Sequence, residues 1–282
     1  MTTVAIEDDF DLAKITDSGQ CFRPQEVEPG IFRFITLNNV VYMRKVEEGY
    51  YEVSCGLGEW DSIWMNYFDL RENYAAIREE ILEFAKGKPF EEFLTDAVEF
   101  SKGIRILRQD PFETLISFII SQRKNIPAIR AAVEKICDKF GSVIHAPEGS
   151  VQAFPKPDEL SEASAYDLST MSLGYRSAYV WDALEKIRGL EVSLEDLYSE
   201  SDDAQLMEAL KKINGVGDKI SACVALYAYH RLSCVPVDVW IMRAIIEDFH
   251  NVNVFSALSA NAGILQQYVF YYKRNGRKAL PQ

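Results

Sequence analysis

Lys212-Ile213-Asn214-Gly215-Val216-Gly217-Asp218-Lys219-Ile220-Ser221-Ala222-Cys223, followed by Val235-Pro236-Val237-Asp238-Val239-Trp240, is the stretch whose reading decides the fold. Two glycines one residue apart, between segments with helical apolar spacing over 202–212 and 218–230, let the backbone turn tightly and approach a ligand closely. The amides of Gly215–Lys219 then point outward at the start of the second helix. There the helix dipole favours an anion, and a phosphate fits. Such a contact uses backbone donors and is independent of base sequence. The same Gly-x-Gly also suits an ordinary packing turn between two helices, and the glycines alone leave both readings open.

Lys219 makes the stretch more specific. It lies in the first turn of the second helix, where the positive end of the dipole disfavours an ammonium ion. That placement is poor for stability and suited to an amine nucleophile, which must be desolvated and lose its proton. Cys223 follows four residues later on the same helix face, so both side chains can line one pocket, although a small buried core residue is the plainer reading of a cysteine. Asp238 follows Pro236 at the start of the next helix. It is either a structural N-cap or a carboxylate placed to stabilise a developing cation.

Working outward, Ile31–Thr36, Val40–Val46 and Tyr50–Ser54 are rich in β-branched and aromatic residues and are joined by Asn38-Asn39 and Glu47-Glu48-Gly49. They predict an antiparallel meander. From Leu70 the spacing turns helical, and a boundary is placed near residue 103. Asp110-Pro111 starts a buried helix that ends near Ser121; Ile126–Phe140 is amphipathic and closed by Gly141. A Pro-rich loop leads to helices over 161–170, 177–187, 194–198, 202–212, 218–230, 238–249 and 260–273. The fold class is α+β, an antiparallel sheet domain followed by an all-helical one.

The chain has 282 residues and a net charge of -13, so it repels phosphates at long range. Contact with nucleic acid must come from backbone amides or from local basic stretches such as 102–108, 123–130, 211–219 and 273–278. The five cysteines are scattered, and none follows Cys234, which excludes a C-terminal four-cysteine iron–sulfur module. No zinc-ligand spacing is present. The acidic N-terminus and the absence of a membrane-length apolar run lead us to expect an intracellular protein.

Taken together, Gly-Val-Gly-Asp-Lys around Lys219 and Val-Pro-Val-Asp around Asp238 resemble the helix-hairpin-helix DNA glycosylase superfamily in its lysine-bearing 8-oxoguanine branch. The resemblance continues, in the family's order, through Gly19-Gln20-Cys21-Phe22-Arg23, Tyr67-Phe68-Asp69-Leu70, Arg105-Ile106-Leu107-Arg108-Gln109-Asp110-Pro111 and Leu173-Gly174-Tyr175-Arg176. It implies a glycosylase-type N-terminal sheet domain over 1–103 and a helical HhH-GPD domain over 104–282, with the hairpin at 203–230. It further implies a bifunctional base-excision repair enzyme that flips out 8-oxoguanine, displaces it with the amine of Lys219 and nicks the strand by β-elimination. By the same resemblance Asp238 assists at the sugar, and the carbonyl of Gly19 accepts the N7 proton of the oxidised base. Gln266 holds the Watson–Crick edge, Phe270 stacks on one side of the base and Cys223 lies on the other. Tyr175 wedges the duplex, Arg176 meets the orphaned cytosine, and Gly215, Gly217, Asn125 and Trp240 contact DNA.

The chain departs from the family at Arg123-Lys124-Asn125, which keeps one asparagine of an Asn-rich triplet. Trp240 replaces a phosphate-contacting histidine. Lys273 replaces an acidic pocket residue and is expected to alter substrate range. No cofactor is expected beyond a monovalent cation at the hairpin carbonyls, which the sequence leaves open. The expected partner is double-stranded DNA with oxidised guanine opposite cytosine, bound by a monomer in the cytoplasm of a prokaryote or the nucleus of a eukaryote. Two alternatives stand beside this: a glycosylase of another lesion specificity on the same fold, and a non-catalytic hairpin module in which Lys219 only touches phosphate.

Overall fold

A computed structural model describes residues 1–276. Arg277 and Lys278, in the basic stretch 273–278, lie outside the described residues. The meander forms as expected: β3 (Ile31–Thr36), β4 (Asn39–Glu47) and β5 (Tyr50–Val53) pair antiparallel, with Phe32 opposite Met43 and Phe34 opposite Val41. Two strands absent from the sequence reading, β1 (Thr2–Ala5) and β2 (Gln25–Glu28), complete a sheet of order β1-β5-β4-β3-β2. Strand β2 is exposed along its whole length, so it carries no apolar alternation by which to recognise it.

One sheet face buries Phe34, Val41, Met43 and Val53 against Ile15 of α1 (Leu12–Asp17) and against Trp60, Trp64, Tyr67 and Phe68. Those aromatics lie in and just after a continuous helical stretch made of α2 (Leu57–Glu59), a π-helical turn at Trp60–Trp64, and α3 (Met65–Tyr67). On the other face Ile35 meets Ile144 and Ala153. Ile144 belongs to a hairpin, β6 (Val143–Ala146) and β7 (Gly149–Gln152), that occupies part of the stretch expected to be a Pro-rich loop.

The helical body holds the larger core. Helices α4 (Tyr74–Ala85) and α5 (Glu91–Ser101) contribute Tyr74, Ile77, Ile81, Leu94 and Val98 to it, so the two side-chain cores divide near residue 70 although α5 ends beside the expected boundary at 103. Apolar residues all around α6 (Pro111–Ser121) make it the central helix; Pro111 opens it and Asp110 caps it, accepting from the Glu113 amide at 2.8 Å. Then come α7 (Ile126–Phe140), α8 (Pro157–Leu160), α9 (Ala165–Thr170), α10 (Arg176–Arg188), a 3₁₀ turn at Asp196–Tyr198, α11 (Asp203–Lys211), α12 (Asp218–Tyr227), α13 (Val239–Arg243) and α14 (Ala262–Asn275). The helix expected over 161–170 forms only as α9, with α8 lying just ahead of it, and that over 238–249 is α13 followed by a π-helical turn at Ala244–Asp248. Helix α12 stops at Tyr227 because the chain turns through His230, which sits at φ 54°.

A polar seam locks sheet to helices. The fully buried Arg105 donates to the carbonyls of Phe68, Asp9, Asp69 and Glu72 and to the Asp8 carboxylate, and stacks on Tyr74 at 4.1 Å. Beside it the buried Asp69 accepts from Tyr74 Oη, Arg108 Nε and His230 Nε2, each at 2.9 Å. These partners hold its carboxyl below the usual range against the opposing effect of burial.

Candidate active site at the hairpin and the last helix

The α11–α12 turn is rigid where it packs and open where it ends. Gly215 has φ 84°, and a Cβ there would lie 2.4 Å from the Tyr179 ring. The turn is held to α10 by Asp182, which accepts from the backbone amide and the side-chain Nδ2 of Asn214 at 2.7 Å each. Gly217 differs: nothing lies near its would-be Cβ, and no side chain caps the amides at the start of α12. These are the orphan donors that an anion can satisfy.

Lys219, in the first turn of α12, reaches a cavity of about 500 Å³ lined also by Gly19, Phe118, Asn125, Cys223, Asp238, Trp240, Gln266, Phe270 and Arg274. Its Nζ sits 5.1 Å from the centre of the Phe118 ring. That ring is stacked on Tyr227 at 5.6 Å and meets Phe22 edge-on at 5.5 Å, so one cavity wall is aromatic. Cys223 is buried against Lys219. Burial pushes its thiol above the ordinary range and the neighbouring Asp238 carboxylate adds to this, while Lys219 pulls the other way. Asp238 is the N-cap of α13, and its Oδ1 accepts from the Trp240 and Ile241 amides, both at 2.9 Å. No hydrogen bond to Oδ2 is found among the described residues, so one oxygen holds the helix while the other is left without a protein donor in a residue that lines the cavity.

The opposite wall is α14. Gln266 is 3% exposed and its Oε1 has no hydrogen-bond partner among the described residues. An unpaired buried acceptor costs about 1–3 kcal/mol, which a ligand donor in the cavity would recover. Phe270, one turn further along, packs on Gly19: a Cβ at that glycine would lie 3.2 Å from the ring. Gly19 has φ 80°, and both flanks of its loop are tied down. Gln20 donates to the Arg105 carbonyl at 2.8 Å, accepts from the Leu107 amide at 2.7 Å, and lends its own carbonyl to Gln109 at 2.9 Å. Gln267 bridges Tyr227 Oη at 2.7 Å and the Ser18 carbonyl at 2.8 Å, linking the lysine-bearing helix to the Gly19 loop.

Eight of the twelve residues singled out in the sequence therefore meet in one cavity or at its rim: Lys219, Asp238, Cys223, Gly19, Gln266, Phe270, Trp240 and Asn125, the last of which caps α7 by accepting from the Ala128 amide at 3.0 Å. Gly215 and Gly217 shape the adjoining turn. Tyr175 and Arg176 do not line the cavity. Tyr175 is half exposed, whereas Arg176 is 7% exposed and folded back, with donors on the Gln122 and Leu173 carbonyls. Its guanidinium is engaged, and reaching a cytosine requires breaking those bonds. Lys273 also departs from expectation. It turns away from the cavity, is 4% exposed, and pairs with Glu247 and Asp248. The residue that enters the cavity is its neighbour Arg274.

Phe118, Tyr227, Gln267 and Arg274 were missed in the sequence. For Tyr227 and Arg274 a signal existed, since each continues the four-residue spacing of Lys219 and Cys223 or of Gln266 and Phe270. Phe118 lies on a helix that is apolar on every face and gave none. At the hairpin the Lys186 ammonium sits on the Lys212 carbonyl and the Val216 amide on the Ile213 carbonyl. A monovalent cation at these carbonyls would crowd a fixed positive charge, so this part of the turn does not suit one. Among the described residues no group of His, Cys, Asp and Glu is placed to hold a metal ion, and no helix is long and apolar enough to cross a membrane.

Residues 3–115 match the N-terminal domain of 8-oxoguanine DNA glycosylase. The structure of MBOgg1 in complex with a low affinity DNA ligand is 33% identical, covers 98% of this chain and 96% of its own, and superposes with a TM-score of 0.89. The Clostridium acetobutylicum 8-oxoguanine glycosylase/lyase, in complex with double-stranded DNA containing cytosine opposite 8-oxoguanine, is 31% identical with a TM-score of 0.87, over 98% of this chain and 99% of that one. The N-glycosylase/DNA lyase of Saccharomyces cerevisiae is 35% identical over 177 residues, which is 59% of this chain and 45% of the yeast protein. This chain thus spans less than half the length of that relative. With the likeness extending end to end over solved structures of similar size, the chain belongs to the 8-oxoguanine DNA glycosylase/lyase family.

Proposed function

We propose that this chain is a bifunctional DNA glycosylase and AP lyase that removes 8-oxoguanine from double-stranded DNA opposite cytosine, acting as a monomer wherever the cell keeps its DNA. The observation that carries the reading is the convergence of Lys219, the free oxygen of Asp238 and the unpaired Gln266 Oε1 on one cavity beneath an uncapped helix N-terminus. The α12 amides bind backbone phosphate, and the target nucleotide swings into the cavity, since the glycosidic bond is out of reach within the stack. The base lies on Phe270 with its Watson–Crick edge on Gln266, and the Gly19 carbonyl accepts the N7 proton that unoxidised guanine lacks.

The neutral amine of Lys219 forms a bond to C1′ as the C1′–N9 bond breaks, with the electron pair leaving on the base. Asp238 stabilises positive charge on the sugar during this step. The nitrogen then gives up one proton and its lone pair opens the sugar ring: the C1′–O4′ bond breaks, O4′ takes a proton and stays on the sugar as a hydroxyl, and a protonated imine forms at C1′. Removal of a C2′ proton then expels the 3′ phosphate and nicks the strand.

Borohydride reduction tests this directly. Incubated with a duplex carrying 8-oxoguanine opposite cytosine, the protein gives a covalent adduct, and Lys219→Gln gives none. No adduct with the unmodified protein would sink the lyase reading. Excision without trapping would favour a glycosylase that uses water, and binding without excision would favour a non-catalytic hairpin module.

A further inference from the structure

Among the described residues, two buried polar atoms beside the cavity lack partners: the Gln266 acceptor assigned above, and a donor, Arg274 Nη1. Arg274 lies one turn beyond Phe270 and two beyond Gln266, on the same face of α14. Its Nη2 pairs with Asp17 Oδ2 at 2.7 Å and also meets the Asp17 carbonyl, and its Nε donates to Asn275 Oδ1 at 3.3 Å. The guanidinium is thereby fixed beside the loop that carries Gly19. Nη1 points inward, 3.0 Å from where a Cβ would stand on Gly19, and is covered by Phe270, whose ring centre is 5.5 Å from the guanidinium carbon.

We propose that Arg274 is a second lesion-reading residue: Nη1 donates to a carbonyl oxygen flanking N7 on the flipped base, beside the Gly19 carbonyl that accepts the N7 proton. This rests on the function proposed above. A base that stacks on Phe270 takes the place of that ring against Gly19 and meets Nη1 as it does so. The pair then presents one acceptor and one charged donor side by side, which matches an oxidised purine edge of N–H next to C=O. Unoxidised guanine offers a bare N7 to the Gly19 carbonyl, two acceptors face to face. Because Asp17 holds the other arm of the guanidinium, the donor is oriented before the base arrives.

The test is single-turnover excision by Arg274→Met on duplex with 8-oxoguanine opposite cytosine, alongside nicking of the same duplex with a preformed abasic site. Excision is expected to fall roughly 10- to 100-fold, the range for a hydrogen bond from a charged donor, and abasic nicking to stay within about twofold. Arg274→Lys keeps the charge for Asp17 but not the second arm, and is expected to show the same split if the methionine variant folds poorly. Excision at the unmodified rate by both variants overturns the proposal. So does a parallel loss of nicking, because a contact to the base cannot matter once the base is gone. A salt dependence of abasic-duplex binding that flattens by about one unit also overturns it, marking Arg274 as a phosphate contact. Failure of the unmodified protein on both duplexes overturns the functional reading itself.

Discussion

Replacing Gly19 by alanine adds one methyl group where the structure has least room for it. The left-handed backbone at φ 80° costs a non-glycine residue about 1–2 kcal/mol. The new Cβ would also stand 3.0 Å from Arg274 Nη1 and 3.2 Å from the Phe270 ring, so each must yield a few tenths of an ångström. Overpacking of this kind costs about 1–3 kcal/mol. The loop cannot slide away to relieve it, because Gln20 ties one flank to Leu107 and Arg105 and Gln267 ties Ser18. The strain therefore goes into Phe270 and Arg274, the residues proposed to receive the base. Urea unfolding of Gly19→Ala should show a loss of about 2–5 kcal/mol. Single-turnover excision of 8-oxoguanine should fall at least roughly 100-fold, as for loss of an oriented polar contact in a desolvated pocket, with nicking of a preformed abasic site within a few-fold of the parent. Excision within threefold of the parent would refute the placement of the oxidised base against Gly19.

Other expectations follow from the same contacts. Asp238→Asn keeps a capping side chain and removes the charge, so lesion-duplex affinity should hold while the excision rate drops by roughly 10²–10³; unchanged excision would leave Asp238 as a cap alone. Gln267→Leu strands the buried Tyr227 hydroxyl and Ser18 carbonyl, and chemical denaturation should register a loss of about 2–5 kcal/mol. Arg176→Ala frees the Gln122 and Leu173 carbonyls and should cost about 1–3 kcal/mol in calorimetry without DNA; a neutral result would argue against the folded-back guanidinium. Burial pushes the Glu113 carboxyl up to about 7, with Arg23 opposing and Asp110 and Glu134 reinforcing. A raised carboxyl means the folded state binds the proton more tightly, so its contribution is complete below about pH 4.5 and is lost as pH rises through 7. Relative to the parent, Glu113→Gln should thus gain stability between pH 5 and pH 8, by at most about 3 kcal/mol, and a difference that does not change with pH would contradict this.

The elements read correctly in the sequence are those whose signal is local. The meander strands alternate, α6 begins at Asp-Pro, and the hairpin carries its own glycines. Four-residue spacing places Cys223 beside Lys219, and Phe270 on one face with Gln266 once the resemblance has singled out that pair, because neighbours on one helix face share a pocket whatever the tertiary fold. What could not be read depends on how one element pairs or packs with another. Strand β2 is recognisable only by its pairing to β3, and Phe118 becomes a cavity wall only because α12 lays Lys219 across it. Lys273 and Arg274 show the limit most clearly. Both are basic and adjacent, and only the packing of α14 decides that the first turns to Glu247 and Asp248 while the second turns to Gly19.

The acidic composition, which first counted against a nucleic-acid partner, bears on how the hairpin works. Two of the cations beside it are engaged within the protein: Lys211 with Glu208 and Asp218, and Lys186 with Asp182 and the Lys212 carbonyl. Such exposed pairs add little stability, but they leave few free ammonium groups for phosphate near the turn. What the turn does present is a row of amides that no side chain caps, and their attraction for an anion is short-ranged and directional. A phosphate that reaches them is positioned rather than merely attracted. For an amine that must meet one sugar carbon, placement is the larger need, since a misplacement of about 1 Å can cost roughly 10²-fold in rate. Placing Lys219 in the same first turn as those amides fixes the distance between the proposed phosphate anchor and the proposed nucleophile in the backbone itself. In that position neither the net charge nor the rotamers of surface lysines can disturb it.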